Sequence, residues 1–244
     1  IYPDYQYIGA NGEPLSTFST TEVGVNFRFS FNEKFGEMLG VTIPLETNNP
    51  VIHFKYSKGL AELDGDFEYE KVDLSFSKKF AIRNAGTTSL QADFGYVNNS
   101  IPLSALYSLK GIFDKDVRVA SSNSFETMAP NEFFADRQMS LFFKHNFGSL
   151  LFNQPKFKPE LLLVSSFGLG SLQNRDSHTN LDFSVPEKGF FESGIQFNSL
   201  YRMKYIYEGM YLGFGVGVYY RYGAYANDEL IDNTALKLTA TFSM

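Results

Sequence analysis

The sequence predicts an all-β chain, specifically an antiparallel transmembrane β-barrel with about nine to ten strands. Three observations support this fold class. Apolar and polar residues alternate with a period of two in about nine segments, which indicates strands with one apolar and one polar face. Most segments are roughly 9–13 residues long, and a strand crosses a bilayer in about 9–11 residues. No run approaches the roughly 18 consecutive apolar residues of a transmembrane helix.

The predicted strands follow one another along the chain after residue 20. In the first of them, Val25 and Phe27 share one face, and Asn26 and Arg28 share the other. The nine segments cover residues 21–31, 50–58, 70–80, 88–97, 135–147, 159–170, 190–199, 209–222 and 235–244. We expect their apolar faces to contact lipid at Val23, Phe29, Phe54, Leu74, Phe94, Leu141, Phe197, Phe214 and Leu238.

The connections between these strands alternate in length, which predicts a barrel with two different rims. Long connections at 98–134, 171–189 and 223–234 alternate with short ones at 81–87 and 200–208 and a medium one at 148–158. Outer-membrane barrels have long extracellular loops and short periplasmic turns. Because the last strand of such a barrel ends at the periplasmic rim, we expect residues 98–134 and 171–189 to lie outside the cell.

One connection departs from this alternation. The connection at residues 32–49 should be a short turn, yet it is long and contains the apolar stretch MLGVTIPL. It either extends the flanking strands or holds a tenth strand. Nine strands would be unusual in a bacterial single-chain barrel, where the number is even. We therefore expect residues 1–244 to form one barrel domain that is the C-terminal portion of a larger barrel.

The amino-acid composition narrows the range of possible functions. The chain has 26 Phe and 15 Tyr, which suit lipid contact and the membrane interface. It has no cysteine, which excludes thiol nucleophiles and thiolate metal sites. A formal net charge of -6 gives no basic surface for nucleic acid. We expect no cofactor and no bound metal.

Candidate site residues lie on the polar faces and at one strand entry. Glycines in a strand mark a close backbone approach or a bend, so Gly213, Gly215 and Gly217 indicate either a segment inserted in the lumen or a tightly curved wall. Charges of both signs on the polar faces, including Arg28, Lys55 and Arg221, favour a packed or plugged interior over an ion-selective pore. At the end of the very long connection, Glu132, Asp136 and Arg137 form a loop anchor, a luminal ion-pair site or a solvated strand entry.

The three histidines bear on one enzymatic alternative. Outer-membrane lipid hydrolases need a His–Ser pair oriented by a third polar residue. His178 is adjacent to Ser177, but chain neighbours do not form such a pair. His53 is expected on a luminal face and His145 on the outward face near a strand end. We predict three unrelated histidines and no catalytic residue.

Several strings in order carry a family resemblance. They are TTEVGVNFRFSFNEKF (20–35), PVIHFKYSKGL (50–60), GDFEYEKVDLSFSKKF (65–80), SIPLSALYS (100–108), MAPNEFFADRQMSLFFKHNF (128–147) and the closing strand. The chain resembles the C-terminal barrel of a Bacteroidota outer-membrane family of unknown function. Its long members begin with a carboxypeptidase-regulatory-like domain, and its barrel is distantly similar to BamA-type assembly factors. The resemblance implies upstream strands and an N-terminal periplasmic domain, and it carries over no catalytic residue.

These observations lead to a ranked set of functions. The leading expectation is a non-enzymatic outer-membrane barrel that acts as a scaffold or accessory subunit in envelope protein assembly or export. The main alternative is a channel or uptake component that passes solutes through the lumen, and the weaker alternative is an outer-membrane lipid hydrolase. The expected partners are outer-membrane lipid or lipopolysaccharide and other outer-membrane proteins or lipoproteins.

Overall fold

A nine-stranded antiparallel sheet forms the body of the protein in a computed structural model that describes residues 4–9, 11–38, 40–44, 49–114, 119–148, 150, 158–204 and 211–243. Each strand pairs with the next one in sequence, so the sheet is a simple meander. The strands are β1 (Glu22–Ser30), β2 (Val51–Gly59), β3 (Tyr69–Ile82), β4 (Gly86–Val97), β5 (Arg137–Asn146), β6 (Glu160–Ser171), β7 (Phe190–Lys204), β8 (Tyr211–Tyr222) and β9 (Thr234–Ser243). All nine predicted strands are confirmed.

Alternation along the strands gives the sheet two opposite faces. We call the apolar face the outer face, and its side chains are mostly exposed, as at Phe29, Leu74 and Phe214. The polar face is the inner face, where Glu192 and Lys237 are buried with 0% and 2% exposure. Globular proteins in water normally bury apolar residues and expose charges. This distribution is therefore inverted relative to a protein whose sheet is surrounded by water.

The sheet curls strongly but is open within the described residues. A single cavity of about 460 Å³ is lined by residues from each of the strands β1 to β8. Eight strands laid flat would span roughly 34 Å at about 4.8 Å per strand pair, so one small cavity can touch them all only if the sheet curves around it. No pairing joins β1 to β9 in the part of the sheet that the structure describes.

Short elements lie outside the sheet, and they correct one expectation and contradict the tenth-strand alternative. Gln6–Ile8 pairs with both Pro14–Leu15 and His178–Thr179, although no strand was expected before residue 20. Phe35–Met38 and Val41–Pro44 pair with each other, so this part of the 32–49 connection adds a separate hairpin and no tenth strand to the sheet. The remaining elements are the strand pair Tyr107–Ser108 and Phe134–Ala135 and the 3-10 helices Arg175–Ser177 and Ile231–Asn233.

One irregularity interrupts the sheet. The pairing of β7 with β8 shifts register between Phe197 and Tyr201, and Ser199 has a positive φ of 55°. Such a bulge bends the strand that carries it. The predicted connection at 148–158 lies largely outside the described residues. The predicted connection at 200–208 is wrong over 200–204, because β7 continues to Lys204, and its remainder lies outside the described residues. The described residues contain no helix with the length and apolar character needed to span a membrane.

Candidate functional site

The inner face of the sheet is covered by residues 98–133, which we call the inserted segment and which the structure describes at 98–114 and 119–133. Instead of an extended surface loop, this connection between β4 and β5 packs against the strands. Its apolar side chains form two buried clusters with the sheet. The first holds Ile101, Leu103, Leu106 and Tyr107 with Tyr69, Val97 and Phe134, and the second holds Leu109, Phe125, Met128 and Phe133 with Phe142 and Phe190.

Polar contacts fix the first half of the inserted segment to β3 and β4. Lys71 Nζ donates a hydrogen bond to the Ala105 carbonyl at 3.0 Å, and the Tyr107 hydroxyl donates to the Val72 carbonyl at 2.9 Å. Lys110 Nζ lies 2.8 Å from Asp93 Oδ2. A Cβ at Gly95 would lie 2.7 Å from the Tyr107 ring, so glycine is needed here for the segment to approach the wall.

A buried carboxylate holds the second half of the segment. Glu192 on β7 accepts hydrogen bonds from the Glu126 N–H at 3.1 Å, the Thr127 N–H at 2.6 Å and the Thr127 hydroxyl at 2.6 Å. Lys237 on β9 donates to the Ile112 carbonyl at 3.2 Å and lies 4.0 Å from Glu126 Oε2. Burial, assisted by the charge of Glu192, raises the pKa of Glu126 to about 7.

The predicted strand-entry residues take three different positions. Glu132 accepts a hydrogen bond from Arg221 Nη2 at 2.8 Å and thereby ties the segment to β8. Asp136 is buried and accepts a bond from the Gln173 N–H at 2.8 Å, which fixes the chain that follows β6. Arg137 is exposed and lies 5.4 Å from the centre of the Tyr96 ring. A loop anchor therefore describes Glu132 and Asp136, and Glu132 also forms a luminal ion pair with Arg221. Arg137 is exposed, as expected of a solvated strand entry, and its Nε lies 4.0 Å from Asp136 Oδ1.

The other basic candidates form ion pairs with residues outside the inserted segment. Arg28 forms an ion pair with Glu33 in the chain that follows β1. Lys55 lies 3.4 Å from Glu22 on the neighbouring strand and is exposed. Arg221 is bonded to the segment, through Glu132 and, at 3.5 Å, the Thr127 carbonyl.

The predicted glycine stripe on β8 contacts the wall. A Cβ at Gly215 would lie 2.0 Å from the Phe197 carbonyl oxygen, and one at Gly213 would lie 2.6 Å from Ser199 Oγ. A Cβ at Gly217 would lie 3.0 Å from the Tyr219 ring. These neighbours belong to β8 itself and to the bulged part of β7, so the geometry fits the curved-wall alternative.

The histidines lie apart from one another. His178 Nδ1 is 2.9 Å from the Tyr5 hydroxyl, and burial lowers the pKa of His178 to about 4. His145 lies between the Thr88 hydroxyl at 2.8 Å and the Ala85 carbonyl at 3.0 Å. His53 is exposed on β2. In the described part of the chain, no three His, Cys, Asp or Glu side chains are grouped so that they could hold a metal ion.

Comparisons with known proteins identify the family of this chain and nothing beyond it. No curated protein and no solved structure matches this chain. Residues 8–185 match the C-terminal domain of a family of unknown function, DUF5686. This match covers most of the chain, including β1 to β6 and the whole inserted segment, and the chain therefore belongs to the DUF5686 family.

Proposed function

We propose that this protein is a non-enzymatic outer-membrane β-barrel whose lumen is filled by its own inserted segment, and that it serves as a scaffold or accessory subunit in envelope protein assembly or export. The observation that supports this proposal is the inverted sheet. Apolar side chains cover the outer face, while Glu192, Arg221 and Lys237 are buried on the inner face. A lipid bilayer favours this arrangement because lipid solvates an apolar outer face, while polar groups are stable only on the side that faces the lumen.

The inserted segment argues for an occupied lumen and against a permanently open channel. It bonds to β3 through Ala105 and Tyr107, to β7 through Thr127 and to β9 through Ile112. These contacts distribute the segment across most of the sheet, and its apolar side chains exclude water from two clusters. A barrel closed in this way supports a structural role better than passive solute passage.

Single-channel recording tests the closed lumen. We expect the full-length protein to be silent in planar bilayers, and we expect a conducting pore when residues 99–132 are replaced by a short Gly/Ser linker. Replacing residues 61–64, an exposed turn after β2, with a Gly/Ser linker of the same length should leave the protein silent. Steady conductance by the unchanged protein would instead support the channel alternative.

The open seam between β1 and β9 indicates that further strands complete the wall. Side chains of β1 are exposed on both faces from Glu22 to Phe29. The outer edge of β9 is met by the inserted segment at one point, where Val119 bridges Leu238 and the Ala120 N–H bonds to the Leu238 carbonyl at 2.8 Å. Each unpaired backbone group in hydrocarbon costs several kcal/mol. We propose that an upstream part of the same protein, or a second chain, supplies strands to these edges.

Refolding of residues 1–244 tests this seam. Expressed alone and transferred to detergent, this stretch is expected to aggregate, because its strand edges lack partners. Co-expression with the region that precedes it should restore a folded species whose migration on gels changes on heating. A monodisperse, protease-resistant monomer of residues 1–244 alone would contradict the proposal and favour a small self-contained barrel.

A further inference from the structure

A groove lies on the outer face at the rim where β4 ends and β5 begins, and we call it the rim groove. Two rows of paired side chains from β3 to β6 form it. The pairing register gives a rim row of Val72, Tyr96, Arg137 and Ser171 and a second row of Leu74, Phe94, Met139 and Leu169. The volume of about 660 Å³ lies within the range of small-molecule sites. Three strand spacings of about 4.8 Å make the groove roughly 14 Å wide.

The polarity of the rim groove changes from one end to the other. The second row is entirely apolar and lies toward the middle of the strands. The rim row contains Arg137 and Ser171, and Glu187 from the connection after β6 also lines the groove. The Gly170 N–H donates to the Pro186 carbonyl at 3.2 Å, which holds Glu187 beside the end of β6. A groove that is polar at the rim and apolar toward the middle of the wall matches an amphiphile oriented as in one leaflet of a bilayer.

Arg137 and Glu187 give the mouth of the rim groove one group of each sign. Arg137 lies 5.4 Å from the centre of the Tyr96 ring, a contact that orients its guanidinium. Asp136 Oδ1 is 4.0 Å from Arg137 Nε, which is too long for a hydrogen bond, so the guanidinium donors can bond to a ligand. Asp136 still offsets the charge of Arg137, and net charge alone therefore attracts no anion. A zwitterion gains from both signs, because its anion can bond to Arg137 and its cation to the exposed carboxylate of Glu187.

We infer that the rim groove binds one phospholipid with a phosphoethanolamine headgroup, with the phosphate at Arg137, the ammonium at Glu187 and the upper part of the acyl chains against the second row. The inference rests on the proposed membrane location, because the outer face must meet lipid. Phosphate oxygens suit the paired donors of a guanidinium. A headgroup without an ammonium would leave Glu187 without a partner from the ligand. A β-strand of another protein does not fit, because the strands of the groove are already paired along both edges.

Native mass spectrometry of the delipidated full-length protein in detergent tests the groove, with phosphatidylethanolamine, phosphatidylglycerol and diacylglycerol of equal chain length as probes. We expect one phosphatidylethanolamine to be retained. Diacylglycerol should bind at least about tenfold more weakly, because it lacks the charged headgroup. Arg137→Gln should weaken the binding of phosphatidylethanolamine by about tenfold. Glu187→Gln should remove the preference over phosphatidylglycerol, since only the ethanolamine headgroup uses that carboxylate.

Matched variants separate the rim groove from the rest of the wall. Leu169→Trp fills the groove, whereas Leu163→Trp adds the same bulk to the outer face of the same strand outside it. The two leucines are 38% and 40% exposed, so neither substitution disturbs a buried core. Only Leu169→Trp should weaken lipid binding, by about tenfold. Lys58→Gln removes a cation that pairs with Glu68 outside the groove, and its affinity should equal that of the unchanged protein.

Insertion into lipid vesicles, measured by flotation beside the binding experiment, separates a failure of this inference from a failure of the proposed function. If the unchanged protein does not insert, the membrane location is wrong and the inference fails with it. The inference alone is overturned if the protein inserts and the two tryptophan variants bind phosphatidylethanolamine equally well. It is also overturned if the inserted protein binds phosphatidylglycerol as tightly, or if the mass spectra show a lipid-free dimer.

Discussion

Replacing Leu74 with Arg is expected to lower the free energy of unfolding in lipid bilayers by about 2–4 kcal/mol, the cost of an arginine on the lipid face near the bilayer midplane. Leu74 lies near the middle of β3 on the outer face and is 39% exposed. If water surrounded this face, a substitution at so exposed a position would change stability by about 0.5 kcal/mol or less. Denaturant titration of the full-length protein in lipid vesicles measures the difference.

Ser77→Arg is the matched control for this variant. Ser77 is on the same strand but lines the cavity on the inner face, where an added charge meets polar groups. We expect its cost to be clearly smaller than that of Leu74→Arg. Equal costs at the two positions would show that the two faces of the sheet are assigned wrongly, and a negligible cost at Leu74 would contradict the membrane location.

Replacing Glu192 with Ala is expected to destabilise the packing of the inserted segment by at least about 3 kcal/mol, because three buried donors lose their shared acceptor. The variant leaves the N–H groups of Glu126 and Thr127 and the Thr127 hydroxyl without their acceptor. Each buried group that loses its partner costs about 1–3 kcal/mol. Limited proteolysis against a denaturant series should show cleavage within residues 119–133 before the sheet unfolds.

Glu187→Ala provides the comparison, because Glu187 is an exposed carboxylate shortly before the same strand. We expect its proteolysis pattern to match that of the unchanged protein. Glu192→Gln keeps one carbonyl acceptor. Its protease resistance within residues 119–133 should therefore lie between those of Glu192→Ala and Glu187→Ala. If residues 119–133 resist the protease equally well in the Glu192→Ala variant and in the unchanged protein, the apolar clusters hold the segment and the carboxylate contributes little to its packing.

The strands could be predicted from the sequence because their signal is local. Val25, Asn26, Phe27 and Arg28 occupy alternating faces by the geometry of an extended chain alone, and no distant contact is needed to read the pattern. Lengths and alternation therefore located all nine strands of the sheet. The faces assigned to Leu74 and Phe214 also agree with their exposure in the structure.

The inserted segment could not be predicted because its contacts are distant in sequence and lack a period. Nothing near Glu126 and Thr127 marks them as partners of Glu192, which lies more than 60 residues later in the chain. The glycines of β8 were ambiguous for a related reason. Gly215 faces the Phe197 carbonyl because of the bulge that contains Ser199, and the sequence gives no signal for a left-handed serine at that position.

The pairing of Gln6–Ile8 with His178–Thr179 has a consequence for the proposed barrel. It holds the first described residues beside the connection that follows β6, at the rim where Thr21 bonds to the turn after β2. In the expected outer-membrane topology, this rim faces outward, so β1 begins at the extracellular rim. If the proposed upstream strands join β1 to a periplasmic domain, they must cross the membrane an odd number of times. Nine strands plus an odd number gives an even total, as bacterial barrels require.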